Sequence, residues 1–145
     1  MNIHEGCILQ STDVLSSDYF AKTLIFIIQH HHKGTVGFVL NKKTRKKVDV
    51  NKKQFNVFNG GPIVENTFNL LHNMPLHIAG GIHIYQGIYW NNNIDTNFLS
   101  SLKPPTNTIK IFQGYCGWDA KELEQECIEG CWRIINATKA IIFDT

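Results

Sequence analysis

Thr23 to Gln29 contains five consecutive large apolar residues, Leu24-Ile25-Phe26-Ile27-Ile28, rich in β-branched and aromatic side chains. A run of this kind is typical of a strand buried within a sheet. It is far shorter than the about 20 apolar residues needed to cross a bilayer. His30 to Gly34 then reads as a turn, and Val36 to Leu40 as the returning strand of an antiparallel hairpin. Gly37, inside that second strand, marks a place where another backbone comes close.

The remaining elements are short and mostly strand-like. Cys7-Ile8-Leu9 is a first strand, and Ser16-Ser17-Asp18 caps one helical turn reaching Ala21. Residues 55–58, 67–71, 82–90 and 108–112 are further strands. Asn59-Gly60-Gly61-Pro62 and Pro104-Pro105 break the chain. Asp95 caps a short helix carrying Phe98, Leu99 and Leu102. Gly114 to Trp118 forms a loop leading into a second helix. That helix is capped by Asp119, with Glu122 placed as in a capping box, Leu123 and Cys127 facing the core, and Gly130 as its stop. Cys131 to Ile135 and Ala140 to Phe143 supply the last strands. Strands joined by short turns, with two or three helices and no regular strand–helix alternation, give an α+β fold built on a mainly antiparallel sheet. No G-x-G-x-x-G or P-loop follows a strand. The 145 residues make one domain, residues 1–145. With 43% hydrophobic and 18% charged residues, a disordered chain and a coiled coil are excluded.

Net charge is only +2, so wholesale polyanion binding is not implied. The charge is uneven, however. Lys42, Lys43, Arg45, Lys46, Lys47, Lys52 and Lys53 crowd one segment that reads as a solvated loop or helix face. The same residues could contact nucleic-acid phosphates, although no aromatic within the run is available to stack on bases. The opening residues lack a signal-peptide pattern, and a cytoplasmic, non-membrane protein is expected. Cys7, Cys116, Cys127 and Cys131 are too few and scattered for a disulfide framework. They read as free thiols packed like small hydrophobes.

Several residues could carry chemistry. The Gly60-Gly61-Pro62 turn could bare backbone N–H groups to an anion, or could be tight geometry alone. His72 could act as a general acid or base with Glu124 as a partner, or could be a structural histidine. Cys116, between Gly114 and Gly117 ahead of a helix, is a candidate thiolate. Tyr115 and Trp118 could floor a pocket or lock helix to sheet. The triplet His30-His31-His32 fits a polar hairpin tip better than a metal site, because neighbours on an extended chain point to opposite faces. No metal site and no cofactor follows from these motifs.

The order and spacing of Glu5-Gly6-Cys7-Ile8-Leu9, Gly34-Thr35-Val36-Gly37, Asn41, Gly60-Gly61-Pro62, Leu71-His72, Gly114-Tyr115-x-Gly117-Trp118, Leu123-Glu124-x-Glu126 and Gly130-x-Trp132 resembles the bacterial YqgE/AlgH family. The resemblance implies a branched, barrel-like sheet flanked by a few short helices. It implies no defined activity. Some members carry a transcriptional-regulator label that rests on an association with alginate control. It singles out Asn41, Gly60, Gly61, Pro62, His72, Gly114, Tyr115, Gly117 and Trp118 as ligand-binding candidates, with Glu124 beside them. Cys116 stands where relatives commonly have a small residue such as Ala. Many relatives also continue past Phe143-Asp144-Thr145 into a tryptophan-containing helix, whose lack would leave an apolar patch. The expected role is a non-catalytic binding or regulatory module with an unknown protein or small-ligand partner. The alternatives are a small enzyme using His72 and Glu124 near the Gly60-Gly61 turn, and weakly specific nucleic-acid binding.

Overall fold

In the computed structural model, which describes residues 2–103 and 108–145, Ile25–Ile28 of the Leu24–Ile28 run are buried on both faces and Leu24 is partly buried. Alternation sends Ile25 and Ile27 to one side, with Leu123 and Trp132, and Phe26 and Ile28 to the other, with Trp90 and Phe112. A strand with two dry faces has no polar positions, which explains the unbroken apolar run. Each such fully buried side chain contributes about 1.5–3 kcal/mol.

This strand, β2 (Leu24–His31), sits at the centre of a five-stranded antiparallel sheet. Its neighbours are β1 (Ile8–Ser11) and β3 (Gly34–Val39). Outside them lie β11 (Trp132–Ile135) and β10 (Cys116–Asp119). The second sheet has the order β4 (Lys43–Val50), β5 (Lys53–Asn59), β9 (Ile109–Gln113), β6 (Phe68–His72), β8 (Ile88–Ile94) and β7 (Ile82–Tyr85). One pair in it, β5–β9, is parallel. The two open sheets meet where Val39 N–H donates to Gly60 O at 2.8 Å. The fold is α+β, with two stacked sheets rather than a closed barrel.

Helix α2 (Glu122–Ile128) covers the outer face of the first sheet, and α1 (Thr96–Ser101) covers the outer face of the second. Apolar side chains of both sheets fill the space between, where Phe38 stacks on Phe112 with centroids 4.9 Å apart. Helix α3 (Lys139–Phe143) closes this central core with Ile142. Lys110 also points inward from β9 and is 3% exposed. Its ammonium lies 4.2 Å from the Phe58 ring centroid and donates to Ile142 O at 2.8 Å and Thr145 O at 3.2 Å.

Several expectations are corrected here. Residues 16–21 form turns rather than a helix, because Asp18 Oδ1 accepts the Phe20 N–H two residues on. A short 3-10 turn stands earlier, at Asp13–Leu15. The turn after β2 is tighter than residues 30–34, since His31 already pairs with Gly34. The basic segment is β4 and the start of β5, not a loop or helix. Its turn places Asn51 and Lys52 both at positive φ (51° and 62°), as a two-residue hairpin requires. Residues 82–90 are two strands around Gln86-Gly87. The Gly114–Trp118 loop gives way to β10, paired with β3. Lys121, not Asp119, is the N-cap of α2, although Glu122 still accepts the Asp119 N–H. Residues 140–143 lie in helix α3 rather than a strand, because the Thr138 hydroxyl caps the Ile141 N–H. Gly130 does end α2, at φ 82°. Pro104-Pro105 lies outside the described residues. Among the described residues, no helix is long and apolar enough to cross a membrane.

Candidate ligand-binding cleft

Two glycine turns far apart in the chain cross backbone to backbone. Gly60 N–H donates to Gln113 O at 3.0 Å, and Ile63 and Tyr115 exchange N–H···O bonds of 3.0 and 3.1 Å. The approach leaves no room for side chains. A Cβ on Gly60 would lie 2.3 Å from Gly114 O, and one on Gly61 would lie 2.2 Å from the Tyr115 carbonyl carbon. Residues 61–66 therefore run as a strap over the junction of the two sheets.

A hollow opens on each side of this strap. The larger, about 660 Å³, is bounded by Tyr19, Asn59, Gly61, Pro62, Gln113 and Gly114, with Thr44 and Lys46 from β4. A bulge in β4 between Lys43 and Lys47 re-aims Lys46, whose Nζ donates to Gln113 Oε1 at 3.0 Å. Lys42 sits nearby, 3.6 Å from the Tyr19 ring centroid. Tyr19 and Val64 add exposed apolar surface to the lining of this hollow. The smaller hollow, about 220 Å³, enters between the sheets and touches Tyr115, Trp90 and Asn69. Glu65 borders both hollows.

The signature residues thus divide into groups. Gly61, Pro62, Gly114 and Tyr115 come together at the hollows, and Gly60 lies beneath them as the crossing point. Asn41 stands apart as a brace. Its Oδ1 accepts the Leu24 N–H at 3.1 Å and its Nδ2 donates to Lys22 O at 2.9 Å. Gly117 and Trp118 lie on β10.

His72 is fully buried, with both ring nitrogens engaged. Nδ1 accepts the Met74 N–H at 3.0 Å, which assigns the proton to Nε2, donating to Asn91 Oδ1 at 2.9 Å. Burial pushes its pKa down from the ordinary value, against the opposing pull of Asn91, so the neutral ring is favoured. Glu124 is exposed on α2, beyond the first sheet, whereas His72 belongs to β6 of the second. Cys116 Sγ lies 3.4 Å from Gly60 O in a dry strand. Burial pushes its thiol up to about 12, the opposite of an activated thiolate.

The acidic helix places a different carboxylate to use. Glu126 Oε1 accepts the Trp132 Nε1–H at 2.8 Å and the Trp118 Nε1–H at 3.1 Å, tying α2 to both outer strands of its sheet. Glu126→Ala leaves the indole donors of two buried tryptophans without their acceptor and should cost about 2 kcal/mol. Glu126→Gln keeps an oxygen there and should recover more than half of that loss. Urea unfolding of the two variants beside the parent measures both, and equal losses would contradict the shared-acceptor role.

Sequence reading overlooked Glu65 and Asn69. Lys46 was visible only as one of seven basic residues, because a bulge cannot be read from a charge run. Asn69 was concealed within an apolar strand pattern.

Comparison with known proteins agrees with the two-sheet architecture. Residues 7–145 match the family model described as AlgH-like. A UPF0301 protein of Chlorobium limicola is 32% identical over 146 residues, covering 94% of this chain and 76% of that protein. A UPF0301 protein of Pelodictyon phaeoclathratiforme is 33% identical, with the same coverage. The solution structure of the AlgH protein from Pseudomonas aeruginosa superposes with a TM-score of 0.77 at 22% identity, covering 97% of this chain and 80% of that one. A crystal structure of a Corynebacterium diphtheriae protein gives 0.77 at 19% identity, covering 99% and 81%. At those identities the structures show a shared fold alone. The near full-length family match and the relatives above 30% identity place the chain in the AlgH-like (YqgE/AlgH) family.

Proposed function

We propose that the chain is a non-catalytic binding or regulatory module, acting in the cytoplasm, with the paired hollows beside the residue 61–66 strap as its recognition surface. The observation that carries this reading is the backbone crossing of the Gly60–Pro62 and Gly114–Tyr115 turns, which are over fifty residues apart yet bring Gly61, Pro62 and Gly114 to the larger hollow and Tyr115 to the smaller. The groups that would do acid–base or thiol chemistry support it from the other side. His72 has both nitrogens engaged and Cys116 is held protonated by burial. The regulator role attached to some relatives would then proceed through capture of a partner rather than turnover. The test is a titration of the ¹⁵N-labelled chain with a set of small amphiphilic fragments. Saturable shifts should concentrate at residues 61–66, 114 and 115, and weaken in Tyr115→Ala. Shifts confined to other surfaces, or unchanged in that variant, overturn the reading.

Lys43, Arg45, Lys47, Lys52 and Lys53 remain exposed along the outer β4–β5 hairpin, and this favours nucleic acid as a second reading. Five phosphate contacts would lower affinity roughly several hundred-fold between 50 and 200 mM salt. Fluorescence anisotropy with a duplex DNA at both concentrations decides it, and salt-insensitive or absent binding removes it. Lysines on an edge strand also have a purely structural use, since they discourage pairing with other chains.

A further inference from the structure

The hollow between the sheets has a chemistry of its own. Its inner wall is apolar, formed by Ile28, Phe38 and Trp90, all 7% exposed or less. Its outer edge is polar, formed by Gln29, Asn92 and Asn93. At about 220 Å³ it is somewhat larger than a cavity of about 150 Å³ known to hold benzene. It falls below the roughly 300 Å³ at which drug-sized sites begin. The space therefore suits one group of amino-acid side-chain size and excludes a nucleotide.

A directed hydrogen-bond chain leads out of the core into this space. Trp90 Nε1–H donates to Asn69 Oδ1 at 2.9 Å, and Asn69 Nδ2 donates to Glu65 Oε1 at 2.9 Å. An indole can only donate, so it fixes which end of the Asn69 amide faces it. The amide nitrogen must then face Glu65. Asn69 is 2% exposed, so its orientation is set by protein and not by solvent. The chain ends on a carboxylate held at the edge of an apolar hollow. Among the described residues, Glu65 has no cation paired with it. Lys46, across the strap, is engaged with Gln113.

Resting on the binding-module reading, we propose that this hollow binds an alkyl cation: a guanidinium or primary ammonium on a short apolar stem. Glu65 is the counter-ion. The stem lies against Ile28, Phe38 and Trp90, where an aromatic wall also favours positive charge. The amide oxygens of Gln29 and Asn92 accept the remaining N–H groups, while Asn93 Oδ1 already takes the Thr67 hydroxyl at 2.7 Å. An anion is repelled by Glu65, and a neutral stem leaves the carboxylate without a cation, bonded only to Asn69.

The experiment titrates the full chain with agmatine, n-butylamine, n-butanol and butyrate. It follows the Trp90 indole N–H and the Asn69 side-chain amide by ¹H–¹⁵N NMR. Both amines should shift both reporters saturably, at least tenfold more tightly than butanol or butyrate. Glu65→Gln keeps an oxygen for Asn69 and should erase that preference. The reporter signals of the free variant verify that its network is intact. Nα-acetyl-arginine methylamide binding more tightly than agmatine identifies a side chain of a partner protein, and the reverse identifies a free amine. Equal affinity for cation and alcohol, or a preference that survives Glu65→Gln, overturns the proposal. If the amines have no effect while the fragment set still perturbs the strap, only this inference falls. If neither does, the binding-module reading falls with it.

Discussion

Gly60→Ala and Gly61→Ala should each lower the stability of the fold by about 3 kcal/mol, the upper end of what overpacking usually costs. For a chain of this size that corresponds to roughly 10 °C in Tm. The reason is the nature of the atoms that a new Cβ meets. At Gly60 it would meet Gly114 O at 2.3 Å, and at Gly61 it would meet the Tyr115 carbonyl carbon and oxygen at 2.2 and 2.3 Å. These are backbone atoms in a ladder closed by the Ile63–Tyr115 and Gly60–Gln113 bonds, so no side chain can swing aside. Gly60 is absent from the positive-φ residues, so its loss is steric and not conformational. Gly87→Ala is the matched control. It has φ 79° and nothing within 4 Å of the added Cβ, so only the left-handed penalty of about 1–2 kcal/mol applies. Thermal and urea unfolding of the three variants separates the two causes. A Gly60→Ala loss below that of Gly87→Ala would mean that the two turns do not touch as described, and the crossing that sets the two hollows side by side would be lost with them.

What could be read from the residues follows from how local each cause is. The apolar run at Leu24–Ile28 and the Gly37 close approach were legible, because strand burial and a missing Cβ leave marks on the sequence itself. A Cβ on Gly37 would lie 2.9 Å from Phe26 O, as its position within a hairpin implied. The Asp95 cap was legible for the same reason, and its side chain does accept the Phe98 N–H. The C-terminal segment was misread because Ala-Ile-Ile-Phe suits a strand as well as a helix, and the deciding residue, Thr138, stands outside it. The site was half legible. Glycines announce a tight crossing, but they do not say what they cross. The pairing of turns 60–62 and 114–115 is a tertiary fact, as are the bulge that aims Lys46 and the relay through Asn69. The same limit explains Glu124. Only the sheet geometry reveals that Glu126, two residues on, meets both indoles.

Raising the pH from 7 to 10.5 should change the stability of this chain relative to Lys110→Met by about 3 kcal/mol, in favour of the parent. Burial holds the Lys110 ammonium down at about 8, from an ordinary value of 10.5, with Asp144 opposing and Lys43 reinforcing the shift. Below about 8 both folded and unfolded chains carry the proton, and the folded state bears the full cost of a buried charge. Between about 8 and 10.5 the folded chain gives up the proton while the unfolded chain keeps it. The unfolded state then binds more protons, so stability rises with pH by about 1.4 kcal/mol per unit before levelling off. The raised thiols act in the opposite sense. Cys116, pushed up to about 12, stays protonated in the fold after the unfolded thiol ionises near 9, and stability falls from there upward. The parent curve alone is therefore a sum of opposing slopes, whereas the difference from Lys110→Met isolates the amine. Methionine fills a similar apolar volume and removes the charge, so near pH 7 the variant should lie within about 1 kcal/mol of the parent or above it. The same side chain no longer donates to Ile142 O, so the variant loses ground once the parent's amine is neutral and still bonded. Urea unfolding of both proteins at pH 7, 8, 9 and 10.5 gives the difference directly. A gap that stays constant across that range would mean that Lys110 titrates as a solvated amine, and that α3 does not seal the core over it.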